Sequence, residues 1–410
     1  MRWCCAVLVL ALAACASGKP NTGTAHVPAG QDAADPARYL YVWAGDLDGD
    51  ASDFLAVYDV RPESPTYGRL LSTAPVGERH THPHHLEYEL PREGEALFAS
   101  GYRAEKLFLL DFREAERPRV VRTLSAPEGF RFPHDMLRLP NGNVLVSYLG
   151  TDNPPSDDGG IVEYDAQGEV LRAVHSADTA AHGQVRTYAM AALPSLDRLV
   201  STSAPMQQDS TSHVVQVWQL STLKLLHTLR LPEGPAPHLK ELPFEPRVMP
   251  DGRTVLLNTF GCGFYRVAGI DTQSPEVRYV SAIADTFAAC GVPVVVGRYW
   301  VLPVGKLSRL VTFDVSDPAR PVEVSRLETD STFRPHWLAR DPRGDRLVVG
   351  GENGGEDRML MARIHPATGR LSWDETLRSP DGSLGISFRR DEWPHGRTGQ
   401  AFAHAALFRP

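Results

Sequence analysis

From Tyr39 onward, short apolar runs alternate with polar turns, and no stretch of convincing length carries the spacing of an amphipathic helix. Residues 131–175 show the pattern most clearly. Positions 134–139 predict a strand, Pro140-Asn141-Gly142 a tight turn, 144–149 a second strand, 160–165 a third and 169–174 a fourth. The plan recurs at 85–90, 96–100, 106–111 and 119–124, and again at 188–193, 198–203, 213–220 and 225–231. Residues 244–283, 290–328 and 334–378 follow it, and 38–76 supply three more runs. Seven such units, each of roughly 40 to 50 residues, predict one all-β domain over 38–410, a seven-bladed β-propeller. Six or eight blades stay open, because the two ends of a chain can share a blade.

The first strand of a propeller blade lines the central channel, so residues at its start face one end of the axis. His85, His134 and His336 each stand six residues before a turn proline, at Pro91, Pro140 and Pro342. Tyr188 falls on the same position, and Glu245 lies within one residue of it. Nitrogen or oxygen donors from separate blades would then converge on one axial site, with His84 available beside His85. His80 and His82 read as a solvated loop or as guards of the channel mouth. Trp393-Pro394-His395-Gly396 and His404 are candidates to cap the channel and add a ligand, His395 first among them.

The N-terminus changes the picture of location. Residues 1–14 carry one arginine and an apolar run too short for a permanent membrane helix, closing at Leu12-Ala13-Ala14-Cys15, the pattern of a bacterial lipobox. Cleavage and lipidation at Cys15 are expected. Residues 15–37 then form a flexible tether, and the exported protein is anchored to a bacterial membrane, on the periplasmic side. The formal charge of −8 and the lack of a basic patch argue against nucleic acid as a partner. A monomer is expected. In the body of the chain, beyond Cys15 and the tether, only Cys262 and Cys290 remain, as a disulfide, a free thiol or a soft metal ligand; their spacing does not decide which.

Several stretches together resemble the selenium-binding protein 56 family, which includes methanethiol oxidases. They are the pair His84-His85, Leu110-Asp111-Phe112 with Arg117-Pro118-Arg119-Val120, and His134 through Asn143-Val144-Leu145-Val146-Ser147. Further along come Gln216-Val217-Trp218, Glu245-Pro246-Arg247-Val248, Gly261-Cys262-Gly263, and Val311-Thr312-Phe313-Asp314-Val315-Ser316-Asp317-Pro318. The resemblance implies a seven-bladed propeller and a copper-dependent oxidase that converts a small thiol, oxygen and water to an aldehyde, hydrogen sulfide and hydrogen peroxide. It puts His84, His85 and His134 on family histidines, the candidates for copper; His336 comes from the repeat alignment alone. The chain departs from the family where a Cys-Ser-Ser-Cys stretch should follow the histidine pair. It reads Leu86-Glu87-Tyr88-Glu89-Leu90, so selenium binding through that thiol is not expected.

Imidazole suits copper, zinc and other divalent transition ions, with copper(II) the tightest binder. Glu87 or Glu245 is a candidate to orient a ligand ring or take a proton. Asp46-x-Asp48-Gly49-Asp50 opens like a calcium loop, but Val57 stands where the closing glutamate belongs, which favours a hairpin loop. No GxSxG, HExxH, CxxC or P-loop pattern offers a rival chemistry. The alternative function is a non-catalytic surface propeller that binds metal, selenium or a protein partner.

Overall fold

The computed structural model describes residues 36–150, 157–206, 213–351 and 358–410. The expectations for 1–14 and for Cys15 lie outside the described residues. The tether expected as far as residue 37 has ended by Ala37. That residue is buried, and its N–H donates to the Asp341 carboxylate at 3.0 Å.

Seven antiparallel sheets are present, as the repeat pattern predicts. Blade 1 joins the two ends of the chain. Its strands run, from the axis outward, Ala401–Arg409, Tyr39–Asp46, Phe54–Asp59 and Leu70–Pro75. Blade 2 comprises Pro83–Leu86, Leu97–Gly101, Lys106–Asp111 and Arg119–Ser125. Blade 3 comprises Arg131–Arg138, Val144–Gly150, Gly160–Tyr164 and Val170–His175, and blade 4 Thr187–Leu193, Arg198–Ser203, Val214–Gln219 and Lys224–Arg230. Blades 5, 6 and 7 begin at Pro243–Val248, Val294–Val296 and Pro335–Arg340. Among the described residues, helix is limited to short 3-10 turns.

The burial patterns give the radial order. The inner strand Thr187–Leu193 is almost wholly buried, whereas the outer strands Arg119–Ser125 and Val170–His175 are largely exposed. Small polar residues on the second strands of blades 3, 4 and 5 stitch each of these blades to the next. The hydroxyls of Ser147 and Thr202 donate to the carbonyls of Tyr188 and Phe244 at 2.7 and 2.6 Å, and the Asn258 amide donates to the Cys290 and Gly291 carbonyls at 3.1 Å. Each bond satisfies a carbonyl that the inner strand, an edge strand, would leave unpaired.

Blade 7 is clasped to blade 1 through hydrogen bonds from a buried ion pair of its own to the backbone of Ala37 and Val60. Arg346 meets Asp341 at 2.6 Å and also donates to the carbonyls of Ala37 and Val60. The Asp46-to-Asp53 segment is a hairpin loop, as favoured, with Asp53 accepting from the N–H groups of Asp46 and Thr81.

Candidate metal centre

The inner strands share a local irregularity. In blade 2 the pairing register slips between Pro83 and Leu86, in blade 3 between Pro133 and Met136, and in blade 4 between Thr187 and Met190. It slips again between Pro243 and Glu245, between Pro335 and Trp337, and opposite Trp43/Ala44, where Ala403 and Ala405 pair on either side of His404. Each slip is a β-bulge, which frees one residue from the ladder and turns its side chain. Proline is tolerated beside it because the inner strand is an edge with no further partner. The residues just past these anchors are His84, His134, Tyr188, Phe244, His336 and His404.

Their side chains close a ring around the axis. Centroid separations are 4.8 Å from His84 to His134, 3.9 Å on to Tyr188 and 4.5 Å on to Phe244. The next are 6.1 Å to His336, 5.4 Å to His404 and 4.2 Å back to His84. The widest gap falls beside blade 6, whose Gly291 passes so close to the His336 backbone that a Cβ there would lie 2.2 Å from its carbonyl oxygen.

One position further along each strand lies a second tier. His85 sits 4.2 Å from His134 and 4.9 Å from Trp337, ring to ring. Asp135 stands beside it, and Glu245 lies on the same tier against Tyr88 and Arg247. His85 Nδ1 is 3.8 Å from Asp135 Oδ1, too long for a hydrogen bond. Glu245 accepts from the Tyr88 hydroxyl at 3.2 Å and from Arg247 at 2.9 Å. Burial pushes the Asp135 carboxyl up to about 6 and the Glu245 carboxyl up to about 7, with Arg247 opposing both.

Burial, reinforced by the neighbouring imidazoles, holds His84, His134 and His404 well below the usual imidazole range. Burial with the charges of His336 and Arg247 does the same for His85. All four are therefore neutral, the form that ligates metal. The donor atoms of His84, His85 and His134 lie within 4.8 Å of one another. His134 Nδ1 faces the Tyr188 carbonyl at 3.0 Å, and its Nε2 faces His84 Nε2 at 3.0 Å. Two nitrogens bound tetrahedrally to one ion at 2.0–2.1 Å would be about 3.3 Å apart, close to that spacing. Both nitrogens of His85, both of His404, and Nδ1 of His84 are buried without a hydrogen-bond partner. Such orphaned buried atoms are rare, and their clustering fits a metal ion. The triad His84, His85 and His134 can bind a metal.

No protein-family model matches the chain. Over 219 residues, 48% of its length, it is 24% identical to a methanethiol oxidase of Hyphomicrobium sp. Over 141 residues, 33% of its length, it is 26% identical to a methanethiol oxidase of Ruegeria pomeroyi. These matches span 49% and 31% of the two relatives. A hypothetical selenium-binding protein from Sulfolobus tokodaii superposes with a TM-score of 0.72 at 16% identity, over 91% of this chain and 94% of that one. Over these stretches the chain is distantly similar in sequence to methanethiol oxidases, and it shares its fold with the selenium-binding protein. The Pseudomonas aeruginosa periplasmic gluconolactonase shares the fold at a TM-score of 0.65 and 14% identity, over 91% and 99% of the two chains.

Against this family background, the histidines expected from sequence divide. His84, His85, His134 and His336 meet at the axis. The structural counterpart of His134 and His336 is His84, because blade 2 carries one more residue between its bulge and Pro91 than the other blades do. In blade 5 the ring position belongs to Phe244, and Glu245 occupies the second tier. His395 is not at the axis. Trp393 and Gly396 close a tight turn through reciprocal backbone bonds of 2.9 Å, and this turn sets His395 against Phe54 and the Thr73 hydroxyl at 2.7 Å. Glu87 is not available as a base or a ligand orienter. The strand ends at Leu86, and the Glu87 side chain turns toward blade 3, where Arg138 grips both oxygens at 2.7 Å. Cys262 and Cys290 form a disulfide, which removes the free-thiol and soft-ligand alternatives.

His404, a candidate from sequence to cap the channel and add a ligand, lies in the ring beside His84, whereas Asp135 was not assigned from sequence as a site member. His404 carried a usable signal, since it stands six residues before Pro410, the spacing shared by His134 and His336. Asp135 carried none beyond following His134.

Proposed function

We propose that this protein is a copper-dependent oxidase of small thiols, taking methanethiol, oxygen and water to formaldehyde, hydrogen sulfide and hydrogen peroxide. The observation that carries this reading is the set of buried, neutral imidazoles with orphaned nitrogens on the axis of a chain distantly related to methanethiol oxidases. His84, His85 and His134 would hold the metal, with His404 and His336 beside them. Bound copper would acidify the thiol and carry electrons to oxygen. The chain's own residues shape that setting. Tyr188, Phe244 and Trp337 exclude bulk water, the Tyr188 carbonyl fixes the His134 tautomer, and Asp135 keeps a proton acceptor next to His85. Zinc or another divalent ion fits the same donors less well for a redox reaction.

Export with a lipid anchor at Cys15 belongs to the same reading. The Cys262–Cys290 disulfide supports it, since such bonds persist outside the reducing cytoplasm.

The test is metal analysis of purified protein from copper-replete cells, followed by incubation with methanethiol while peroxide and sulfide are measured. Stoichiometric copper and matched product formation are expected. Protein with intact histidines and no stoichiometric copper would overturn the oxidase reading and favour a non-catalytic propeller.

A further inference from the structure

A cleft of about 500 Å³ opens above the histidine ring, lined by His82, Tyr102, Arg103, Phe132 and Met206. It adjoins the ring directly. Tyr102 and His82 lie 5.5 and 5.7 Å from His84, ring to ring, and Tyr102 lies 6.4 Å from His134. His82 and Phe132 hold equivalent places, each just before an anchor proline. Both have left-handed backbones, with φ of 55° and 60°, a conformation that side-chain-bearing residues seldom adopt. The strained turns direct these side chains into the mouth.

The cleft is large for a one-carbon thiol, since volumes of roughly 300–1,000 Å³ suit ligands of many heavy atoms. Its walls are unlike. Tyr102, Phe132 and Met206 offer apolar surface, and Arg103 offers a cation. The neighbouring arginines are committed. Arg131 pairs with Glu105 at 2.7 Å, and Arg186, which meets Phe132 at Gly150, pairs with Asp157 at 2.7 Å. Arg103 forms no ion pair among the described residues, and no carboxylate shares the cleft lining with it.

We propose that this cleft selects a thiol whose apolar body bears a carboxylate, with the Arg103 guanidinium gripping the carboxylate and the sulfur directed down toward His84. The assignment of the sulfur end rests on the oxidase reading above; the grip on the carboxylate does not. A planar guanidinium matches a carboxylate through two parallel hydrogen bonds.

The test compares 3-mercaptopropionate with propane-1-thiol. Binding to the purified protein is measured by calorimetry with oxygen excluded, so that no turnover occurs. The acid is expected to bind roughly 10-fold or more tightly than the neutral thiol. Arg103→Gln should abolish that difference while leaving propane-1-thiol binding unchanged. Arg103 is exposed, so this change does not threaten the fold. Equal affinities for the two thiols, no measurable binding of the acid, or an unaltered preference in the variant would overturn the proposal. Aerobic turnover of both thiols by copper-loaded protein is the separate arm. Selective binding without oxidation of either thiol would defeat the oxidase reading and leave carboxylate recognition by Arg103 standing.

Discussion

Nε2 of His84 stands 3.0 Å from Nε2 of His134, a contact between adjacent blades by residues 50 positions apart. Because Nδ1 of His134 donates to the Tyr188 carbonyl, its neutral ring has a lone pair at Nε2, aimed at His84. The pair is therefore built to share a proton or an ion. His134→Ala should lower copper affinity by at least about 100-fold, with the circular dichroism spectrum of the folded protein retained. Unchanged metal content in the variant would remove His134 from the ligand set.

The two C-terminal histidines should behave oppositely. His404 stacks on His84 at 4.2 Å, whereas His395 bonds to Thr73 on the outermost strand of blade 1. His404→Ala is expected to weaken metal binding by about tenfold or more. His395→Ala should leave metal binding unchanged. Competition with a chelator of known affinity measures both. A larger effect from His395 than from His404 would show that the axial ring is not the metal site.

The Cys262–Cys290 bond closes a loop across a separation of 28 residues. Chain entropy assigns such a cross-link about 3–4 kcal/mol. Replacing both cysteines with alanine should lower the unfolding free energy by about that amount, read from urea denaturation. The bonded segment continues into Gly291 and Val292, whose N–H meets the His336 carbonyl at 2.7 Å. Loosened packing at His336 should follow, visible as faster amide exchange at Val292. Equal stability with and without the bond would refute this.

Asp59 offers a pH-dependent test away from the axis. Burial alone would raise its carboxyl, but hydrogen bonds from Arg61, Ser64 and Thr66 outweigh burial and hold it well below the usual range. Its contribution is thus present above the unfolded value near 3.9 and fades as pH falls through the lower folded value. Asp59→Asn should cost about 1–3 kcal/mol at pH 7, and the gap to wild type should shrink below about pH 4. A gap that stays constant down to pH 2 would contradict the assignment.

The architecture was largely legible in the chain, because alternation and turn chemistry repeat seven times. Arg198–Ser203 and Lys106–Asp111 fall where the pattern puts them. The inner strand of blade 2 does not, ending at Leu86 and not at Leu90. The cause is the one extra residue that blade 2 carries between its bulge and Pro91, which shifts the strand relative to its turn and cannot be seen without knowing where the bulge falls. It explains why counting back from Pro91 reached His85, while the residue equivalent to His134 is His84. Glu87 looked like a site residue because it follows the histidine pair, yet Arg138, 51 positions away, determines its role. Whether Cys262 and Cys290 meet depends on two loops from different blades, which spacing cannot reveal.

The C-terminal strand brings one more consequence. Ala401–Arg409 pairs with Tyr39–Asp46 and carries His404 into the ring. During synthesis that strand leaves the ribosome after every other blade. The axial constellation thus stays incomplete until the circle shuts. Completion of the histidine ring is tied to closure of the circle, and a chain that stalls or is clipped before Ala401 loses its molecular latch and one side of the candidate metal site together.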